Sequence, residues 1–245
     1  MTATIEELDY QMTPLGELIL RRRRSPSVPE EWVYEVKLEN NMLMSSSVNA
    51  SERALAKLAL EGRNQRACDV LVGGLGLGYT AATALEYPSV RRVVVMELLV
   101  PVIAWHRNRL VPMAGRLLDD PRCLLVEDDF IEYVLRNAET KQERYDAILI
   151  DIDHSPECWL HSRHADFYSE TGLRALADCL GPGGIFGLWS ASKPAPEFLE
   201  LVTRVFPLCR SHDVPFFNPH MNKTYSNWII LAALEGDRSM GAAAR

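Results

Sequence analysis

A glycine-rich segment between an apolar run and a helical run constrains this chain more than any other feature. The apolar run DVLV at 69–72 is followed by GGLGLG at 73–78, and a helical segment begins at Tyr79. Short apolar runs of this kind are typical of parallel strands that are buried on both faces. Glycines in the following loop permit a tight turn and let backbone N–H groups approach a ligand. The segment therefore predicts a strand, a loop and a helix that together receive a nucleotide.

Apolar runs and helical segments alternate after this loop. Further strands are predicted at 92–96, 123–126, 147–150 and 185–188, and helices at 79–85, 100–110, 130–137 and 164–180. The segment GPGG at 181–184 predicts a turn before the last of these strands. Such alternation implies a mostly parallel sheet with helices on both faces. We therefore predict an α/β fold with a Rossmann-like, doubly wound sheet.

The two ends of the chain have a different pattern. Short alternating segments at 15–20, 32–38 and 42–46 predict β-hairpins, and Ser51 is the expected N-cap of a helix that Gly62 ends. Near the other end, NWIILAAL at 227–234 predicts a strand after a loop rich in Pro, Asn and Phe. The predicted organisation is a small N-terminal β-hairpin domain (1–50), an α/β domain (51–234) and a disordered tail (235–245).

Composition limits the partners and the compartment. The chain has 245 residues and a formal net charge of −7, and an acidic surface repels phosphate backbones, so we predict no nucleic-acid partner. No apolar run approaches the roughly 20 residues that span a bilayer, so no membrane association is expected. The five cysteines are scattered and the first residues do not form a signal peptide. These features predict a cytoplasmic protein.

Acidic residues follow three of the predicted strands. Glu97 ends the run after the glycine loop, Asp128 and Asp129 follow the next run, and Asp151 follows the run after that. Ligands of open α/β sheets bind outside the carboxyl ends of the strands, where an acidic side chain can accept hydrogen bonds from ribose hydroxyls. We therefore predict that Glu97 binds a ribose and that Asp128 or Asp129 faces the exocyclic amine of an adenine.

Two other interpretations of these residues stay open from the pattern alone. The spacing Gly76-x-Gly78-x-x-Ala81 also satisfies the dinucleotide fingerprint, which keeps an NAD-linked oxidoreductase as an alternative. Cys158, His161 and His164 have a spacing that suggests zinc, but no fourth ligand is obvious, and no metal site is predicted.

Five stretches together resemble the spermidine synthase family, whose members are aminopropyltransferases on the class I S-adenosylmethionine-dependent methyltransferase fold. They are DVLVGGLGLGYT, VVVMELLVPVIAWHR, LLVEDDFIEYV, YDAILIDIDHSP and LGPGGIFGLWS, and the likeness extends over roughly 13–234. The resemblance implies S-adenosylmethionine or its decarboxylated form as donor, a small-molecule acceptor and a possible homodimer. It also implies that Gly74, Gly76, Gly78, Glu97 and Asp129 contact the donor.

The reaction implied by the resemblance is attack of a nucleophile on a carbon bonded to a sulfonium, which requires alignment and a proton acceptor. The expected catalytic residues are Asp151, Asp153 and His154. His154 stands where the family has a second Asp, the glycine loop has no acidic residue, and the family's acidic segment near the first helix is mostly lost at 51–57. We therefore expect an acceptor other than an ordinary polyamine. A methyltransferase and a non-catalytic binding module are the remaining alternatives.

Overall fold

Two β-sheets organise the chain in the computed structural model, which describes residues 5–25, 28, 30–63, 66–218 and 222–234. Within these residues the first sheet is antiparallel, with four strands in the order β1-β2-β3-β4. Its strands are β1 (Ile5–Thr13), β2 (Gly16–Arg24), β3 (Trp32–Leu38) and β4 (Asn41–Ser45). The predicted N-terminal hairpins are confirmed, and β1 is an additional strand that the pattern did not predict.

The second sheet carries the α/β part of the chain. In the described part it has seven strands in the order β10-β11-β9-β8-β5-β6-β7. The strands are β5 (Cys68–Gly73), β6 (Val90–Glu97), β7 (Cys123–Glu127), β8 (Tyr145–Ile150), β9 (Leu180–Ser190), β10 (Leu208–Asn218) and β11 (Lys223–Ala233). Strands β5 to β9 are parallel, whereas β11 is antiparallel to both of its neighbours. The predicted doubly wound, mostly parallel fold is confirmed.

Helices cover both faces of this sheet. They are α1 (Ala50–Leu60), α2 (Tyr79–Ala84), α3 (Val100–Arg107), α4 (Ala114–Leu118), α5 (Phe130–Thr140), α6 (His164–Phe167), α7 (Glu170–Asp178) and α8 (Pro196–Val205). Successive side chains of a strand point to opposite faces. Accordingly, Val70 and Val72 of β5 pack with α1, α2 and α3, while Leu71 packs with α5, α7 and α8. The central strands are thus buried on both sides, as their apolar runs predicted.

Three local predictions are wrong in detail. The helix predicted at 164–180 is two helices, because the Ser169 side chain accepts a hydrogen bond from Gly172 N–H and so caps α7. Ser51 does not cap α1, which begins one residue earlier, at Ala50. The loop expected before the last strand is β10, an edge strand whose position tolerates Pro215.

The turn predicted at 181–184 is an interruption inside a strand. Tyr145 of β8 pairs with Leu180, but Ala147 pairs with Ile185, so four residues of β9 fall outside the register. The final residues, 235–245, for which a disordered tail was predicted, lie outside the described residues.

The N-terminal sheet is held to the α/β part by a buried contact. The indole N–H of Trp105 on α3 donates to an Oδ of Asp9 on β1 at 2.6 Å, and Trp105 is 1% exposed. Within the described chain, no helix has the length and apolar character needed to cross a bilayer.

Candidate active site

A cavity of about 750 Å³ lies at the carboxyl ends of β5, β6 and β8. This volume is within the usual range for a small-molecule site. Its wall is formed by the glycine loop, the end of β6, the start of α5, the loop after β8, and parts of β4, α1 and β9. The location is the one at which open α/β sheets bind their ligands.

The glycine loop has a backbone that other residues would not adopt. Gly74, Gly76 and Gly78 all have positive φ, at 91°, 48° and 90°. A Cβ at Gly74 would lie 2.1 Å from the carbonyl oxygen of Asp151, so the loop can pass the end of β8 only with a glycine there. Met44 of β4 approaches Gly76 from the N-terminal sheet. The loop is therefore packed on both sides and lines the cavity.

Glu97 joins the glycine loop to the start of α3. Its carboxylate accepts hydrogen bonds from Leu75 N–H at 2.9 Å and from Leu99 N–H at 2.8 Å. Burial raises the pKa of Glu97, while these backbone N–H groups act against the rise. The backbone N–H groups of Gly76 and Leu98 also lower the pKa of this carboxylate, so the chain itself surrounds Glu97 with donors on the side of the glycine loop and α3. Glu97 lines the cavity, and its oxygens can accept further hydrogen bonds from ligand hydroxyls.

The two acidic residues after β7 have different environments. Asp129 caps α5, because its Oδ1 accepts hydrogen bonds from Ile131 N–H and Glu132 N–H, and it lines the cavity. Asp128 does not line the cavity; its Oδ2 lies 2.6 Å from Arg136. Of the two residues expected near an adenine, the geometry favours Asp129 alone.

Asp151 lines the cavity together with Glu52, which the sequence analysis did not identify as a site residue. Burial and, to a smaller extent, the charge of Glu52 raise the pKa of Asp151 to about 7, and a hydrogen bond from the Thr80 hydroxyl at 3.1 Å acts against this rise. Burial likewise raises the pKa of Glu52, which accepts a hydrogen bond from the Ser51 hydroxyl. Glu52 lies in the first turn of α1, far from Asp151 in the chain, so its approach to Asp151 depends on tertiary packing.

Asp153, expected to be catalytic, lines the cavity and holds the loop after β8 together. Its carboxylate accepts hydrogen bonds from Leu160 N–H at 2.7 Å, from His164 Nδ1 at 2.8 Å and from the Tyr168 hydroxyl at 2.9 Å. The side chain is 1% exposed. Three donors leave little capacity for a substrate, so the arrangement favours a positioning role for Asp153. His154, the third expected catalytic residue, lines the cavity.

The zinc alternative finds no support in the geometry. The His164 Nδ1 atom is engaged by Asp153, and Cys158 is exposed. Within the described residues, no group of three or more His, Cys, Asp and Glu side chains is placed to hold a metal ion.

Comparison with known proteins assigns the chain to a family. A family profile described as "Spermine/spermidine synthase domain" matches residues 49–234. The chain belongs to the spermine/spermidine synthase family. The match begins just before α1 and ends after β11, so it covers the whole second sheet and every residue of the candidate active site discussed above except Met44.

Curated relatives of this spermine/spermidine synthase family member include enzymes with two activities. Polyamine aminopropyltransferase 2 of Pseudomonas aeruginosa is 30% identical over 177 residues, covering 67% of this chain and 46% of the relative. Polyamine aminopropyltransferase of Aeropyrum pernix is 32% identical over 117 residues, covering 48% and 35%. Putrescine N-methyltransferase 2 of Nicotiana attenuata is 29% identical over 116 residues, covering 47% and 29%. The matched regions thus span about a third to a half of these relatives.

Solved structures support the same fold. Spermidine synthase from Thermotoga maritima matches with a TM-score of 0.72 at 19% identity, covering 96% of this chain and 75% of that one. A spermidine synthase in complex with the transition-state analogue AdoDATO matches with a TM-score of 0.71 at 18% identity, covering 96% and 74%. None of these relatives and neighbours is described as an NAD-linked enzyme, so the NAD alternative gains no support.

Proposed function

We propose that the protein transfers the aminopropyl group of decarboxylated S-adenosylmethionine to a small amine. The observation that carries this proposal is the pair of half-buried carboxylates, Glu52 and Asp151, which line a cavity of nucleoside size together with Glu97. Buried carboxylates attract ammonium groups, and both the donor tail and a protonated amine acceptor carry one. Family membership and the aminopropyltransferase relatives support the same reaction.

The donor orientation follows from the order of the acidic residues around the cavity. Glu97 would accept hydrogen bonds from the ribose hydroxyls, and Asp129 would face the adenine amine. The sulfonium end would then point towards Asp151, which the Gly74 contact fixes beside the loop. A carboxylate on the donor tail would be repelled by Glu52 and Asp151, which favours the decarboxylated form over S-adenosylmethionine.

In the proposed reaction the lone pair of a neutral amine attacks the methylene carbon next to sulfur. A nitrogen–carbon bond forms and the carbon–sulfur bond breaks. The electron pair of the broken bond stays on sulfur, which becomes the neutral thioether of methylthioadenosine. The new ammonium loses one proton, and in this proposal Asp151 accepts it. A carboxyl with a pKa near 7 is a suitable base at neutral pH because it is partly ionised and still basic.

Donor choice can be tested with the purified protein and four ligands. We expect calorimetry to show binding of decarboxylated S-adenosylmethionine and methylthioadenosine at least tenfold tighter than of S-adenosylmethionine, and no binding of NAD. Assays with putrescine, spermidine and monoamines, followed by release of methylthioadenosine, would then identify the acceptor. Preference for S-adenosylmethionine would contradict aminopropyl transfer, and absence of all nucleoside binding would indicate a non-catalytic member of the family.

Methyl transfer to an amine is the second candidate. It is favoured by the match to a putrescine N-methyltransferase and by a glycine loop that has Leu75 and Leu77, with no acidic residue, facing the cavity. The two reactions release different products, because methyl transfer leaves S-adenosylhomocysteine and aminopropyl transfer leaves methylthioadenosine. Chromatography of the nucleoside product therefore decides between them.

A further inference from the structure

His106 of α3 lies beneath the glycine loop, outside the residues that line the cavity. It is 0% exposed, and its Nε2 atom is 2.9 Å from the carbonyl oxygen of Gly76. Since a carbonyl oxygen only accepts, Nε2 carries the hydrogen and donates it. A Cβ built on Gly78 would lie 2.9 Å from the Cε1 atom of His106, so the imidazole also packs directly against Gly78.

The other ring nitrogen of His106, Nδ1, has an unusual environment. Nδ1 is buried and has no hydrogen-bond partner among the described residues. Burial also lowers the pKa of His106, which keeps the ring neutral with its one hydrogen on Nε2. A buried polar atom without a partner costs stability. An apolar side chain at this position would avoid that cost, but it could not donate a hydrogen bond to the loop. The hydrogen bond to Gly76 is therefore what the histidine contributes and an apolar residue would not.

We infer that His106 is a positioning residue that fixes the peptide between Gly76 and Leu77 for donor binding. In a trans peptide the C=O and the next N–H point in opposite directions. Because the Gly76 carbonyl points to His106, the N–H of Leu77 points away from α3, and Leu77 lines the cavity. Gly76 has φ +48°, and glycine allows this peptide to rotate unless a contact holds it.

The role in donor binding rests on the proposed function, because it presumes a nucleoside in the cavity. The contact itself does not depend on that presumption. His106 holds the loop from the side opposite to the ligand, whereas Glu97 holds it through Leu75 N–H. Together they fix two successive parts of the loop. Removing the hydrogen bond of His106 leaves the peptide between Gly76 and Leu77 free to turn its carbonyl towards the ligand.

Two substitutions at His106 separate a hydrogen bond from simple packing. His106→Gln keeps a donor at a similar distance from the main chain, and His106→Leu keeps apolar volume without a donor. We expect His106→Leu to weaken methylthioadenosine binding by about three- to tenfold, the effect of one neutral hydrogen bond. His106→Gln is expected to restore the dissociation constant to within about threefold of the wild type. With an active preparation, the KM for the donor should rise more than kcat falls.

His212 of β10 supplies a matched control, because its Nε2 atom is also buried without a described partner and burial lowers its pKa too. His212→Leu should leave donor binding unchanged. Amide hydrogen exchange of the peptide containing 73–79 provides a readout without ligand, and it should be faster in His106→Leu than in His106→Gln or His212→Leu.

The outcomes distinguish the two proposals. Unchanged binding and unchanged exchange in a folded His106→Leu protein would overturn the positioning role, as would a glutamine variant as impaired as the leucine variant. If the wild type binds none of the nucleosides, the proposed function fails and the donor role of His106 fails with it. Faster exchange in His106→Leu would in that case still support the loop contact alone.

Discussion

The hydroxyl of Thr80 donates to the carboxylate of Asp151 at 3.1 Å, across the junction between α2 and the end of β8. This bond favours the ionised form of a carboxyl whose pKa burial raises to about 7. The two residues are far apart in the chain, and they meet because β5 and β8 are neighbours in the sheet. The chemistry proposed for Asp151 therefore depends on a side chain in the helix that follows the glycine loop.

Replacing Thr80 should shift the pH dependence of the reaction. Thr80→Val keeps the shape and removes the donor, so the pKa of Asp151 rises further and the acidic limb of kcat/KM moves to higher pH. A shift of about 0.5 to 1 pH unit corresponds to one neutral hydrogen bond. Thr83→Val is the matched control, because the Thr83 hydroxyl is buried in the same helix without a described partner. An equal shift in both variants would contradict this prediction.

Removing the carboxylate of Asp151 should separate binding from chemistry. We expect Asp151→Asn to lower kcat by about 100-fold or more, the usual range for loss of a general base. Methylthioadenosine carries no ammonium, so its dissociation constant should change by less than about threefold. Turnover assays and calorimetry on the same preparation measure both. Asp178→Asn, at the exposed end of α7, should behave as the wild type. Nearly normal turnover by Asp151→Asn would exclude Asp151 as the base.

Asp151 should also make the folded protein less stable at neutral than at acidic pH. Its folded pKa of about 7 exceeds the ordinary value of 3.8, so between these values the folded state keeps a proton that the unfolded state has lost. The contribution of this group to the free energy of unfolding therefore falls as pH rises from about 4 to 7. The difference corresponds to at most about 4 kcal/mol.

Urea denaturation at pH 5 and pH 8 tests this contribution. Asp151→Asn lacks the titration, so it should gain stability relative to the wild type at pH 8 and gain less at pH 5. Other titrating groups contribute to the free energy of unfolding of both proteins. The difference between the two free energies of unfolding isolates the contribution of Asp151. A variant that is less stable than the wild type at pH 8 would show that the charged carboxylate is stabilised in the folded state.

Asp153 is expected to act through the loop after β8. Asp153→Asn retains the size but cannot accept all three hydrogen bonds, so we expect a loss of about 2 to 3 kcal/mol in stability and faster proteolysis within 154–163. Donor binding should weaken by about tenfold because His161 and Leu160 of this loop line the cavity. Asp166→Asn, on the exposed side of α6, serves as the control. Normal stability with lost turnover would instead indicate direct catalysis by Asp153.

The sequence predicted the parts of the fold that are buried on both faces. The strands predicted at 69–72 and 147–150 contain the continuous apolar runs 70–72 and 147–150, and such runs are typical of a sheet covered on both sides. Strands β1 and β10 were missed because each lies at a sheet edge and mixes polar with apolar residues. Pro215 reinforced the interpretation of β10 as a loop, although an edge strand accepts a proline.

The positions of candidate site residues were predictable where the residue stands directly at the end of a strand. Glu97 and Asp151 occupy the carboxyl ends of β6 and β8, and the sheet itself brings them to one cavity. Glu52, Thr80 and His106 have no such local signal, because each is on a helix. Glu52 and Thr80 reach the cavity, and His106 reaches the glycine loop, only through packing. Asp128 and Asp129 show the remaining limit: neighbouring carboxylates differ in direction, and only the capping geometry of α5 separates them.

The hydrogen bonds of Glu97 have a consequence for how a ligand enters. The N–H groups of Leu75 and Leu99 hold this carboxylate through bonds that belong to the fold itself, so its orientation is set by the main chain of the glycine loop and of α3. A ribose hydroxyl would share this carboxylate with the backbone donors rather than replace them. The entropic cost of ordering this loop therefore belongs to folding and not to ligand binding. We expect the ribose to bind with little movement of the main chain.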